Sequence, residues 1–353
     1  MGFMKLTVGL AILVVIALAT PAVARKKSSR HASAAAQPQQ QTEAATRLQV
    51  FLDRANFSPG MITGRYDDVT SKALSLYRQA RGEPEPSLPP KPDAPPSTEG
   101  IDLGSIGPVF IDYTVIDTDI QNIGPVPPDV PGQAKLKFLP YHDAAEALAE
   151  KFHCDVRFLE HLNPGKTKTI KPGDHLKVPN VEPFDLGAVK SLQPGSEINA
   201  PAANELPDES PSPQDRAPPG ISAKIDTKTN MLGLFDADKL VAAYPVTIGS
   251  TKTESPTGDW KVQRIVKLPS FRWDEAMLKY GQRSDNFHML PPGPNSPVGV
   301  IWIALNKKGI GLHGTNEPET IGRATSHGCV RLANWDIVRL AQKIKPGVPV
   351  SIH

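Results

Sequence analysis

The chain has 353 residues, with 39 Lys and Arg against 37 Asp and Glu and a formal net charge of +2. That length exceeds one small domain and predicts two or three. The near balance of charge gives no reason to expect nucleic acid as a partner, and two cysteines, Cys154 and Cys329, are too few for a disulfide framework.

Near the start, Lys5 precedes an apolar run from Leu6 to Ala19, followed by Pro21 and the small-residue pattern Ala22-Val23-Ala24. This is the pattern of an export signal. The run falls short of the roughly 20 residues a membrane-spanning helix needs, so residues 1–24 are expected to be a cleaved signal peptide. An uncleaved anchor reinforced by Arg25-Lys26-Lys27 is the alternative. Either way the chain is expected to be exported, to the periplasm or cell wall. No cysteine follows the apolar run, which argues against a lipoprotein.

Residues 25–41 are rich in Ser, Ala and Gln without apolar periodicity and predict a disordered tether. Proline-dense stretches at 82–100 and within 186–220 read as linkers. They delimit a helical module at 42–81, a middle module at 101–185 and a C-terminal domain at 221–353.

In the helical module Leu48, Leu52 and Ala55 share a helix face, Ser58-Pro59-Gly60 makes a turn, and Thr70 is a candidate cap for a second helix carrying Ala73, Leu74 and Tyr77. With Leu48-Gln49, Ile62, Gly64, Thr70 and Ala73, the segment resembles the three-helix peptidoglycan-binding domain. It departs from it in having Tyr77-Arg78 for Phe-Gln, and Asp68 for a glycine. In the middle module a helix with Ala145, Leu148, Ala149 and Phe152 leads to Leu162-Asn163-Pro164, and Pro172-Gly173-Asp174 turns into the alternating strand His175 to Val178. This resembles the second half of a LysM repeat, although Leu139 to Asp143 lacks the usual Gly-Asp turn. Cys154 stands at an apolar position and reads as a small buried hydrophobe.

The C-terminal domain is mostly strand-like. Ile221 to Phe235 and Leu240 to Ile248 flank the hairpin signal Asp236-Ala237-Asp238-Lys239, and Trp260 to Val266 follows the turn Ser255-Pro256-Thr257-Gly258. Val298 to Leu305 and Gly311-Leu312 then run into His313. Asn334 is a candidate N-cap for a helix carrying Ile337, Leu340, Ala341 and Ile344, which Pro346-Gly347 ends before a last strand at Val348 to Ile352. Strands with one late helix predict a β-sandwich whose catalytic loop that helix braces. The fold class expected is therefore multidomain: a mainly-β catalytic domain behind a small α-helical bundle and a small LysM-like α+β module.

The chemistry concentrates in His313-Gly314-Thr315 and in Thr325-Ser326-His327-Gly328-Cys329-Val330-Arg331-Leu332. A free thiol of pKa about 8.5 is only a few per cent ionised at pH 7, and a nearby imidazole is the usual means of raising that fraction. The expectation is thus a thiol titrating below an ordinary cysteine. Glycine beside the nucleophile, as Gly328 is, lets backbone amides gather the charge of a tetrahedral intermediate. Other readings compete. A zinc site could use His313, His327 and Cys329, but no Cys-x-x-Cys pair supports it. A papain-type site has cysteine well before histidine, the reverse of this order. A purely structural role, or a Cys154–Cys329 bridge, would leave the paired motifs without a purpose.

Beyond these patterns, Ser255-Pro256-Thr257-Gly258, Asn295-Ser296-Pro297-Val298-Gly299, Gly309-Ile310-Gly311-Leu312-His313-Gly314-Thr315, Glu317, Ile321-Gly322-Arg323 and Ser326 to Leu332 together resemble the L,D-transpeptidase catalytic domain of YkuD type. The resemblance implies Cys329 as nucleophile, His313 as general base and then acid, the Gly314 carbonyl as orienter of the imidazole, and an oxyanion hole from amides near Gly328 and Cys329. It implies support of the loop by Ser326 and His327, a substrate contact from Thr315, and for Arg331 either a substrate carboxylate to bind or the loop to lock. It also implies 3→3 cross-linking of peptidoglycan stem peptides through a thioester, without metal, nucleotide or other cofactor. Expected partners are stem peptides, glycan strands and carbapenem β-lactams, with the chain acting as a monomer. An L,D-carboxypeptidase, an enzyme attaching wall to protein, or a non-catalytic wall-binding protein are the alternatives. The insert Phe271 to Pro294 is expected to shape the substrate entrance.

Overall fold

The computed structural model describes residues 1–2, 27–84, 91, 93–191, 219–249, 257–322 and 329–353. The expected signal peptide, apart from Met1 and Gly2, lies outside the described residues. Residues 1–40 and 41–353 form two compact units. In the first unit the described backbone from Lys27 is helical, the opening of α1 (Lys27–Arg54). Residues 27–41, within the stretch expected as an unstructured tether, are helical; their Ala and Gln have high helix propensity, which the lack of an apolar face does not cancel. Among the described residues no helix is long and apolar enough to cross a membrane.

In the second unit α1 continues to Arg54 and is followed by α2 (Asp68–Ala80). Asp67 rather than Thr70 caps α2: its carboxylate accepts both the backbone N–H and the hydroxyl of Thr70, three residues on. The resemblance implied three helices, and this segment holds two. Leu48, Leu52, Ala73 and Leu74 are buried as their spacing predicts, but in one cluster with Phe57, Met231, Leu240 and Ala243 of the C-terminal domain.

The middle module contains β1 (Phe110–Thr114), the single turns α3 (Asp117–Ile120) and α4 (Val130–Gln133), α5 (Ala144–Lys151), α6 (Val156–Leu162) and β2 (His175–Pro179). β1 and β2 pair antiparallel, Tyr113 opposite Leu176. Leu148, Ala149, Phe152, Leu159, Leu176 and Val178 fill the space beneath, with Cys154 among them. Burial pushes the Cys154 thiol far above the ordinary range, so it is an inert packing group. α7 (Leu186–Ser191) occupies the start of the expected linker, and Val189 is buried in the core of the C-terminal domain.

That domain comprises β3 (Ile221–Asp226), β4 (Met231–Asp236), β5 (Lys239–Pro245), β6 (Gly258–Lys267), β7 (Phe271–Trp273), α8 (Glu275–Tyr280), β8 (His288–Leu290), β9 (Ile301–Leu305), β10 (Gly311–His313), β11 (Val330–Arg331), α9 (Asn334–Lys343) and β12 (Pro349–Ile352). The span Ile221 to Phe235 is thus a hairpin in itself, with Asn230 in the left-handed region at φ 58.

Eight strands form one sheet in the order β11-β10-β9-β6-β12-β3-β4-β5. This replaces the expected two-sheet sandwich. The sheet curls until its edges meet: Thr247, just past β5, bridges Arg331 on β11, with Thr247 N donating to Arg331 O at 3.0 Å and Arg331 N to Thr247 O at 2.9 Å. Closure leaves neither edge open there. Ile301, Ile303, Leu305, Leu312 and Val330 point inward against Ile337, Leu340, Ala341 and Ile344. Trp302 and Ala304, alternating with them on β9, join a second cluster outside the sheet.

The proline-rich segments do not separate free modules within residues 41–353. Phe57 bridges Ala243, and Ile62 bridges Cys154. Asp53 pairs with His153 at 2.9 Å and with Arg339 at 2.9 Å. Ser58 Oγ donates to Asp336 Oδ2 at 2.7 Å. A proline-rich sequence predicts stiffness and extension; it carries no information on whether the elements it joins dock.

Candidate active site

The site is built on β10 and its neighbours. Leu312 lies opposite Val330 and His313 opposite Arg331 in a parallel pairing, which brings Cys329, one residue before β11, alongside Gly311. Since strand side chains alternate, Gly311, His313, Cys329 and Arg331 share the outer face while Leu312 and Val330 enter the core. The register therefore places His313 and Cys329 on one face of neighbouring strands, although sixteen positions separate the residues in sequence.

His313 is buried. Its Nδ1 lies 2.6 Å from the Gly314 carbonyl oxygen. A carbonyl can only accept, so Nδ1 carries the proton, and in the neutral ring Nε2 keeps its lone pair free to act as a base. The ring is stacked on Trp302, with centroids 5.1 Å apart and planes 8° from parallel. Trp302 faces His313 across the β9–β10 pairing, and its ring covers Gly311 so closely that a Cβ there would stand 2.7 Å from an indole carbon. Glycine at 311 is what lets the indole lie on the strand. Sequence reasoning missed Trp302: inside Ile301-Trp302-Ile303-Ala304-Leu305 it reads as one more buried apolar residue, and only the register reveals its partner.

Cys329 is half-buried and packs against the cluster that includes Trp302, Leu139, Leu290 and Ala304. Its Sγ is 3.5 Å from the Gly309 carbonyl. Burial pushes the thiol up to about 11, opposed by a backbone hydrogen bond at Gly311 and by the positive Arg331. Burial likewise pushes the His313 imidazole down to about 4; the bond to Gly314 opposes this and Arg331 adds to it. Between those values both groups are neutral. Burial therefore opposes the thiolate and the imidazolium alike, against the expectation of a thiol titrating below an ordinary cysteine. The chemistry that fits is base-assisted attack, with the proton moving as the new bond forms.

Arg331 is mostly enclosed, with Nη1 3.6 Å from Glu317 Oε2, and its backbone makes the bridge that closes the sheet. It is placed to bring positive charge beside Cys329. Thr315 is fully buried and has a place in the turn, its Oγ1 accepting from Glu317 N at 3.1 Å. Ser326, His327 and Gly328 lie outside the described residues. So does the third member of the zinc reading, His327, and among the described residues no group of three His, Cys, Asp or Glu side chains is placed to hold a metal ion.

Asn334, expected as an N-cap, is the first residue of α9, with Ala333 in the capping position. Its side chain has other work. Nδ2 donates to Glu150 Oε1 at 2.8 Å, and Oδ1 accepts from Val300 N at 3.2 Å. The middle module thus reaches the backbone that carries β9. Glu150 is buried and also accepts from the Tyr141 hydroxyl. Burial raises its carboxyl to about 7, against those hydrogen bonds.

Residues 221–352 match the family model of the YkuD L,D-transpeptidase catalytic domain. A Bacillus licheniformis protein named as the L,D-transpeptidase YkuD is 31% identical over 138 residues, covering 39% of this chain and 67% of that protein. Its Bacillus subtilis counterpart is 31% identical over 133 residues, covering 38% and 65%. The chain thus spans about two thirds of the length of these relatives. A solved structure of Mycobacterium tuberculosis L,D-transpeptidase 3, in complex with a faropenem-derived adduct, is 13% identical with a TM-score of 0.31, covering 38% of this chain and 60% of that one. With the family model matched over residues 221–352 and a Bacillus licheniformis relative 31% identical and covered over 67% of its length, the chain belongs to the L,D-transpeptidase family, its YkuD-type catalytic domain lying at residues 221–352.

Proposed function

We propose that the chain is an exported peptidoglycan L,D-transpeptidase that forms 3→3 cross-links through a cysteine thioester. The observation that carries this reading is the His313 geometry: Nδ1–H held by the Gly314 carbonyl at 2.6 Å, with Cys329 on the same face of the sheet.

In the first step Cys329 Sγ attacks the carbonyl of the third stem residue, a diamino acid of L configuration at the reacting centre, while its proton passes to His313 Nε2. Backbone amides at Gly328 and Cys329 receive the oxyanion. The intermediate collapses by breaking the bond to the terminal D-alanine, whose nitrogen takes the proton from His313 and leaves as an amine. A thioester remains. In the second step His313 takes a proton from the amine of a neighbouring stem as that nitrogen attacks the thioester, and Cys329 departs as a thiol. Two neutral groups that exchange one proton at each step suit a water-poor face. A carbapenem would acylate the same sulfur by opening its strained lactam ring. The helical and middle modules, docked onto the catalytic domain, are proposed to contact glycan strands.

The test is muropeptide analysis of sacculi incubated with the purified protein. Dimers linked 3→3, with one D-alanine lost per link, support the reading. Loss of D-alanine without dimers assigns an L,D-carboxypeptidase, and no change in the muropeptides overturns both.

A further inference from the structure

Residues 122–141 of the middle module form a loop whose base is pinned by Gly124 N donating to Tyr141 O and Tyr141 N to Asn122 O, each at 3.0 Å. The loop is braced from within. Asp129 caps α4 by accepting from Gly132 N at 2.7 Å, and Gln133 Nε2 donates to Pro127 O at 3.0 Å. It docks on the catalytic domain at Leu139, which is fully buried. Leu139 N donates to Pro292 O at 2.8 Å and Asn295 N to Leu139 O at 3.3 Å. Gly293 has φ +150, and a Cβ on it would stand 2.1 Å from the Leu139 carbonyl oxygen; the docking surface accepts this loop only because residue 293 is glycine.

The apolar side chains of the loop reach the catalytic face. Val126, Val130 and Leu136, all partly exposed, pack against the cluster of Trp302, Leu290, Phe271 and Ala304, the same cluster against which Cys329 packs. A partly exposed apolar surface that shares its packing cluster with Cys329, set on a braced loop, suits the alkyl surface of a bound peptide rather than its charges. Arg331 supplies the charge on the β11 side.

We propose that this loop is one wall of the substrate groove, with Val130 and Leu136 as specificity-determining residues that hold the alkyl portion of the stem peptide that acylates Cys329. Recognition of the donor is then shared between the catalytic domain and a segment outside it. The proposal rests on the acyl-transfer reading for the identity of the peptide, but not for the existence of the wall.

The experiment uses the full chain, Leu136→Ser, Val130→Ser and the conservative Leu136→Met, with a soluble stem tetrapeptide as probe. Three quantities are read: the peptide concentration that half-protects Cys329 from iodoacetamide, the alkylation rate without peptide, and KM and kcat for D-alanine release. Partial burial of one aliphatic side chain sets the scale, so each serine variant is expected to raise the half-protection concentration and KM roughly five- to tenfold. The unprotected alkylation rate and kcat should stay within about twofold of the parent, the pattern of lost binding, and Leu136→Met should bind like the parent. Unchanged protection and KM in folded variants would overturn the proposal. So would faster alkylation with a lower KM, which would make the loop a plug instead of a wall, and so would a tetrapeptide that gives the parent chain no protection. Protection without turnover would remove the acyl-transfer reading and leave the wall standing.

Discussion

Asp53 of α1 and Arg339 of α9 meet in a two-point pair, Nη2 to Oδ1 at 2.9 Å and Nη1 to Oδ2 at 3.1 Å. His153 completes the group from the middle module. Burial alone would raise the Asp53 carboxyl, but His153 and Arg339 hold it well below the usual carboxylate range. Three segments of the chain thus meet at one buried charge. Removing one partner leaves the others buried and uncompensated, at a cost of roughly 3–5 kcal/mol. Asp53→Ala should therefore lose stability on that scale in urea unfolding. Residues 41–353 should unfold in a single transition by both fluorescence and circular dichroism. Two separated transitions would restore the picture of independent modules on proline tethers.

Glu150 predicts a dependence of stability on pH with a definite sign. Its carboxyl rises from 4.5 to about 7 on folding, so the folded state holds a proton that the unfolded state releases. The associated stability is fully present below pH ~4.5 and is lost as pH rises through about 7. The size is on the order of 3 kcal/mol, at 1.36 kcal/mol for each pH unit. Glu150→Gln removes the titration. The difference in Tm between variant and parent should shift in favour of the variant between pH 4 and pH 8; a difference that does not vary with pH contradicts the buried-carboxyl account.

The Trp302–His313 stack is expected to position the base. An aromatic pair of this kind is worth about 1 kcal/mol beyond its buried area, and Trp302→Leu should lower kcat by roughly that factor, five- to tenfold. The pH profile should move as well, because the indole helps to exclude water from the imidazole. Trp302→Phe should recover most of the rate. A Leu variant with normal kcat and an unchanged profile would reduce Trp302 to packing.

Much of this site was legible in the sequence, for reasons that differ from residue to residue. His313, Gly314 and Cys329 stood out because nucleophilic catalysis restricts residue type and local spacing together. The helix face Ile337, Leu340, Ala341 and Ile344 followed from its period, and all four are buried where that period puts them. The single curled sheet did not follow, because strand order and the Thr247–Arg331 closure depend on pairings between distant segments. The burial of Thr315 did not follow either, because a motif position says nothing of burial. The docking of Asp53, Ser58 and Glu150 against α9 was invisible for the same reason as the sheet: each reads locally as an ordinary surface polar residue or cap.

The titration of the thiol separates two mechanisms. With Cys329 at about 11 and His313 at about 4, iodoacetamide alkylation of the free enzyme should rise with pH only above the range of an ordinary cysteine, about 8.5. Acyl transfer should gain its base limb far lower, as His313 becomes neutral near pH 4. His313→Ala should slow acyl transfer by about 10²–10⁴. An alkylation profile centred below pH 8 would show a preformed thiolate–imidazolium pair instead. If His327→Ala rather than His313→Ala removed the base limb, the two histidines would exchange roles.

Intact-protein mass spectrometry during turnover of a soluble stem tetrapeptide tests the nucleophile itself. The account predicts an adduct of tripeptide acyl mass, cleaved by hydroxylamine and mapped to the peptide carrying Cys329. It should be retained in Cys154→Ser and absent in Cys329→Ala, together with D-alanine release. Undiminished D-alanine release by Cys329→Ala, or an adduct mapped to any other residue, would contradict it.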